Sequence, residues 1–167
     1  MITADQEREK YRLMWAVPAY SDYSPGERLV QYFLDHSGYN PGETLIDAGC
    51  GTGRAGLGLA DQGLQVYLLD HVNAIQKNNH LPFIEANLWE LPELIHFDWL
   101  FCTDVMEHIP PEHVETVLSN LARICRQGFF QIAMGRDGFG QQIGETLHLT
   151  VENDDWWTRK IQKNFEI

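Results

Sequence analysis

Positive charge is scarce in this 167-residue chain. Only 12 Lys and Arg stand against 24 Asp and Glu, a formal net charge of −12. Nucleic-acid binders draw much of their affinity from a basic face that neutralises phosphates. No basic cluster occurs here, so nucleic acid is not an expected partner, whereas a cationic ligand is tolerated. Long apolar runs are missing too. None approaches the ~20 residues that span a bilayer, so no membrane partner is expected. The start, MITADQEREKYR, lacks the apolar core of a secretory signal. Cysteine is limited to Cys50, Cys102 and Cys125, without C-x-x-C spacing. An odd set inside apolar segments reads as free thiols in a reducing compartment, and a cytoplasmic location is expected. There is no internal repeat and no low-complexity tract.

What remains is ordinary globular composition, 44% hydrophobic with 11% aromatic, at a length that suits one domain. Residues 1–23 read as a polar-aromatic helical arm and 24–167 as the single domain. The SPGE segment predicts a helix start, with Ser24 as N-cap, Pro25 at the first position and Glu27 reaching back. Leu29, Val30, Phe33 and Leu34 follow at helical spacing, and Gly38 suits the stop. Apolar runs then alternate with helical patterns. TLIDA, QVYLLD, FIEAN, FDWLFCT and FFQIAM read as strands. Residues 54–62, 73–79, 112–125 and DDWWTRKIQK read as helices. This alternation predicts an α/β fold: a doubly wound, mostly parallel Rossmann-like sheet with helices on both faces and a ligand at the strands' carboxyl ends. The chain closes on FEI, which at most begins a sixth strand. The sheet is therefore expected to lack its last strands, and an open edge invites a second copy or a different partner chain.

LIDAGCGTGRAG, residues 45–56, carries four glycines behind an acid-tipped strand. Glycine lets the backbone adopt positive φ and approach a ligand closely, and the helix that follows offers free N–H groups. Gly51-x-Gly53-x-x-Gly56 fits the dinucleotide fingerprint, which would make the chain a nicotinamide-dependent oxidoreductase. Asp47-x-Gly49-x-Gly51-x-Gly53 fits a second register. The second is favoured because the first glycine after the strand is Gly49, and Asp47 would repel a pyrophosphate while suiting an ammonium group.

LIDAGCGTG resembles the first motif of class I S-adenosylmethionine-dependent methyltransferases. The resemblance extends over about residues 24–160 and implies that the turn at Asp47, Gly49, Cys50, Gly51 and Gly53 wraps the amino-acid part of S-adenosylmethionine. It further implies that Asp70 takes the ribose diol and that His71 flanks the adenine. Asn87, where the family often has Asp, would accept from the adenine amine through its amide oxygen, beside Leu88. Thr103 closes the fourth strand. DVMEHIP resembles the version found in small-molecule O-methyltransferases, and similar proteins are encoded by tailed phages. A small or carbohydrate-like acceptor, methylated at a hydroxyl or amine, is implied. His108 is the first candidate base and His148 the second.

Asp104, Glu107 and His108 stand at i, i+3 and i+4, so one helical turn would gather them on one face. With His148 they would make a mixed oxygen–nitrogen set for a divalent metal, as in metal-dependent 2′-O-methyltransferases, which similar motifs resemble. Trp156-Trp157 reads as packing or as an acceptor wall shared with Trp15, Tyr20 and Tyr23; Tyr11 or Tyr20 could touch the cofactor's carboxylate. A truncated fold that binds the cofactor or a partner without catalysis is the alternative to an enzyme.

Overall fold

The computed structural model describes residues 2–93 and 95–165. Three helices come first: α1 (Ala4–Trp15), α2 (Pro18–Ser21) and α3 (Pro25–Ser37). Then β1 (Thr44–Ala48), α4 (Arg54–Ala60), β2 (Gln65–Asp70), β3 (Phe83–Glu85), β4 (Phe97–Thr103), α5 (Val114–Ile124), β5 (Cys125–Gln131) and α6 (Asp154–Ile161) follow. The strands form one sheet in the order β3-β2-β1-β4-β5, and every pairing is parallel. The order reverses between β1 and β4, so a crevice opens at their carboxyl tips, where such folds bind ligands.

Continuous apolar strands let both faces be covered. On one face Phe33 of α3 and Leu59 of α4 bury against Leu45, Leu68 and Phe101. On the other, Leu118 and Leu121 of α5 and Trp157 and Ile161 of α6 bury against Ile46, Leu100 and Cys102. The expected apolar stripe of α5, from Val114 through Val117, Leu118 and Leu121, is buried throughout. No helix among the described residues is long and apolar enough to cross a membrane.

Several local expectations need correction. Ser24 is the N-cap of α3 with Pro25 behind it, but its side chain makes no capping bond. Glu27 pairs with Arg54 at 3.4 Å instead. The capping box forms at Thr3 and Gln6, which start α1. Residues 73–79 are not helical. Asn73 and Asn79 bond the amides of Ile75 and Leu81 through their side chains, and this local bonding competes with a helix. β5 runs over 125–131 rather than 129–134, because Phe97 pairs with Cys125 and Thr103 with Gln131. Ladder pairing overrides the apolar pattern there. The FEI segment contributes Phe165, which packs beside Gly128; Glu166 and Ile167 lie outside the described residues.

Candidate functional site

β1 delivers the chain into a turn that only glycine makes cheaply. Gly49, Gly51 and Gly53 have φ of 73°, 52° and 75°, the left-handed region that penalises other residues. Space forbids side chains as well. A Cβ on Gly49 would lie 2.3 Å from Val105, and one on Gly51 2.7 Å from Trp15. The turn therefore opens at Gly49, in the register that begins with Asp47. Gly56 sits within α4, where a Cβ would lie 2.4 Å from Leu68; its bareness serves helix-to-strand packing.

Two acids flank the turn. Asp70 accepts from the Gly51 amide at 2.9 Å and from the Val72 amide at 3.1 Å, so it ties the tip of β2 to the glycine backbone. Asp47 is 3% exposed, and its Oδ2 has no partner. Burial above all, then the charge of Asp70, pushes its carboxyl up to about 7, partly offset by the Gly56 amide. Neither acid pairs with Lys or Arg among the described residues, and a positive ligand would relieve the cost of burying the Asp47 carboxylate.

Two hollows meet above this turn. The first encloses about 600 Å³, open mouth included, and is lined by Asp70, His71, Asn87, Leu88 and His108 among others. The second, about 520 Å³, is lined by Asp47, Cys50, Gly51 and Thr103. Of the candidate cofactor residues, Asp70, His71, Asn87 and Leu88 line the first hollow and Asp47, Cys50, Gly51 and Thr103 the second; Gly49 borders both and Gly53 neither. Asn87 Oδ1 accepts from the Trp89 amide at 2.9 Å, while its Nδ2 is buried without a partner. The residue offers a free donor at Nδ2 beside the second lone pair of Oδ1.

The second half of the site gathers at the tips of β4 and β5. Asp104 has φ 58°, the one positive value at a non-glycine among the described residues. A 3-10 turn, Met106–His108, follows it. This replaces the expected single helical face, because the backbone at Asp104 is left-handed. Glu107, His108 and His148 nevertheless present ligand atoms within 4.8 Å of one another; Asp104 stands outside that group, beside Glu107. Glu107 Oε1 accepts from the Ala133 amide at 2.6 Å, and its buried Oε2 has no partner. Burial, reinforced by the charge of Asp104, pushes Glu107 up to about 8. Burial also holds His108 down at about 3, helped by its neighbour His148. His108 Nδ1 lies 3.2 Å from the Leu147 carbonyl, and His148 Nδ1 lies 2.5 Å from that of Gly135. A carbonyl accepts only from N–H, so His148 carries its proton on Nδ1 and keeps the Nε2 lone pair, whereas at His108 Nδ1 the Leu147 carbonyl shares the position with the Tyr11 hydroxyl at 2.6 Å.

Several participants were not visible in the sequence. Tyr11 of α1, which also lines the first hollow, reaches His108 Nδ1 at 2.6 Å. Arg8 donates to the His71 carbonyl, and buried Lys10 donates to that of Thr146, so α1 is latched over the crevice. Asp137 accepts from the amides of Gly140, Leu147 and His148, which positions His148; the D-G-F-G turn was the only local hint. Trp157 is core, and Trp156 borders a separate hollow with His148. The expected acceptor wall shared with Trp15, Tyr20 and Tyr23 is not formed, since those rings cluster around Phe139 instead.

No curated protein matches this chain. Among solved structures, the chain is similar to magnesium protoporphyrin IX methyltransferase from Synechocystis PCC 6803 with bound S-adenosylmethionine. That match has 26% identity and a TM-score of 0.52, and covers 63% of this chain and 55% of the other. It is also similar to the N-methyltransferase NodS from Bradyrhizobium japonicum WM9 in complex with S-adenosylhomocysteine, at 16% identity and TM-score 0.64, over 97% and 86%. A third is the 1,6-didemethyltoxoflavin-N1-methyltransferase of Burkholderia thailandensis, at 18% and 0.64, over 79% and 64%. The chain spans little more than half the length of the first of these. The sequence profile of the methyltransferase domain matches residues 45–128, narrower than the sequence resemblance suggested but half the chain, and this protein belongs to the methyltransferase domain family.

Proposed function

We propose that the protein transfers a methyl group from S-adenosylmethionine to a hydroxyl, or an amine, of a small or carbohydrate-like acceptor. The observation that carries this reading is the glycine turn flanked by two buried acids, Asp47 with an unpartnered Oδ2 and Asp70 held by backbone amides, neither paired with Lys or Arg among the described residues. Asp47, Gly49, Cys50, Gly51, Gly53 and Thr103 would hold the amino-acid part, and Asp70, His71, Asn87 and Leu88 the nucleoside. The cofactor supplies a methyl group already activated by its positive sulfur. The chain's own work is alignment, which can lower a barrier by ~7–11 kcal/mol, and proton removal. Burial opposes imidazolium at His108, so His148 Nε2 takes the acceptor's proton and His108 orients its neighbour. The oxygen–methyl bond forms as the sulfur–methyl bond breaks. Residues 1–23 act as a separate arm over residues 24–167, and the location is cytoplasmic. The partner is a small molecule; the open edge of β5 would take any second chain. Calorimetry with S-adenosylmethionine, followed by a screen of hydroxyl- and amine-bearing metabolites for methylated product, tests the reading. Binding without turnover on any acceptor would favour a non-catalytic module.

A second reading rests on the convergence of Glu107, His108 and His148. With Asp104 nearby, they would hold a divalent metal that polarises the acceptor hydroxyl. Both histidines have a carbonyl behind Nδ1, the usual support for a metal-bound imidazole. Activity abolished by chelator and restored by Mg²⁺, Mn²⁺ or Zn²⁺ would establish it; full activity in excess chelator would remove it.

A further inference from the structure

Four residues border both hollows: Trp15, Tyr20, Gly49 and Asp104. A ligand long enough to fill both compartments must pass between them. Gly49 leaves the floor of that passage bare. Trp15 and Tyr20 are set at 58° with ring centroids 4.8 Å apart, two aromatic walls that meet at an angle. Tyr20 is braced edge-on by Phe139 at 5.6 Å. Asp104 is kept there by a left-handed backbone that costs energy, and such strain concentrates at functional sites. The linings of the two hollows include Asp47, Asp70 and Asp104 but neither Lys nor Arg; Glu7, also in the lining, is already neutralised by Lys10 at 2.6 Å. Ring faces and carboxylates without a cation attract positive charge far more than they attract a neutral group.

We infer that Trp15, Tyr20 and Asp104 form a charge-selective seat for a sulfonium centre, so that the chain holds the methyl donor more tightly than the thioether left after transfer. This rests on the methyltransferase reading. Transfer moves the methyl to the acceptor, leaves its proton on the protein, and converts a cationic sulfur into a neutral one inside an anionic passage. The seat loses its attraction at the moment of reaction, and the product is released by the same residues that held the donor. The selectivity belongs to binding and is measurable without turnover.

The test is calorimetry of the full chain with S-adenosylmethionine and, separately, S-adenosylhomocysteine. The donor is expected to bind about tenfold tighter. Trp15→Leu should bring the ratio of affinities close to one, and Trp15→Phe, which keeps a ring face, should restore most of it. Asp104→Asn keeps a residue that tolerates left-handed backbone and should also collapse the ratio, which guards against a folding defect in the tryptophan variant. Equal affinity for the two ligands in the wild-type protein overturns the seat while leaving the methyltransferase reading intact. A ratio unchanged in both Trp15→Leu and Asp104→Asn also overturns it. Binding of neither ligand overturns the seat and that reading together.

Discussion

The two halves of the crevice are built on different principles. The half at the tips of β1 and β2 is local: Asp47 to Gly53 are nearly contiguous, and Asp70 reaches them across one strand pairing. The half at the tips of β4 and β5 is assembled from afar. The Leu149 and Thr150 amides donate to the Glu107 carbonyl at 2.8 and 2.9 Å. Thr150 Oγ1 donates to the Ile109 carbonyl, and Tyr11 arrives from 97 positions away. The first half uses backbone amides and leaves the buried Asp47 under stress. The second uses side chains whose geometry depends on a pinned loop. Binding should therefore reside in the first half and proton handling in the second.

The largest effects test that division directly. Asp70→Ala removes the acceptor that orders the Gly51 amide, and S-adenosylmethionine affinity by calorimetry should fall about a hundredfold. Glu107→Gln can still accept from Ala133, so binding should persist, while turnover falls about a hundredfold on the metal reading, which places Glu107 among the ligands. The division breaks if Glu107→Gln abolishes binding or if Asp70→Ala leaves it unchanged.

Next comes Asp47→Asn. The folded-state pKa of Asp47 lies at about 7, above its ordinary value of 3.8. The folded protein thus binds the proton more tightly, and stability is lost as pH rises from about 4 through about 7. The variant should be more stable than the wild type by about 2 kcal/mol at pH 8 in urea unfolding, with no gain at pH 4. A gain that is independent of pH would mean that Asp47 is not stressed by its charge. Gly56→Ala should cost about 1–2 kcal/mol by crowding Leu68 while binding is retained once folded, which separates a packing glycine from the ligand-facing ones. Smallest is Tyr11→Phe. It removes one bond to His108 but leaves the Leu147 carbonyl, so turnover should drop about fivefold with binding unchanged. An equal loss of binding would place α1 in the first half's machinery.

Much of this was legible in the residues themselves. The acid-tipped β1, the glycine run behind it and the acid at the end of β2 name the fold and one half of the site. Their chemistry is local: positive φ requires glycine, and a parallel strand places its last side chain at the ligand edge. The helices and strands followed from periodicity, except where asparagine side chains took backbone bonds over 73–79 and where the β4 ladder drew β5 forward.

What the sequence by itself determined, then, is the parallel sheet and the glycine cradle with its two acids, because these depend on neighbours in the chain or on one strand pairing. Only the tertiary structure decided that α1 closes over the crevice, that Trp15 and Tyr20 stand where the two hollows meet, and that His148 joins Glu107 and His108. Those contacts join segments far apart in sequence through burial and backbone hydrogen bonds, which no local pattern encodes.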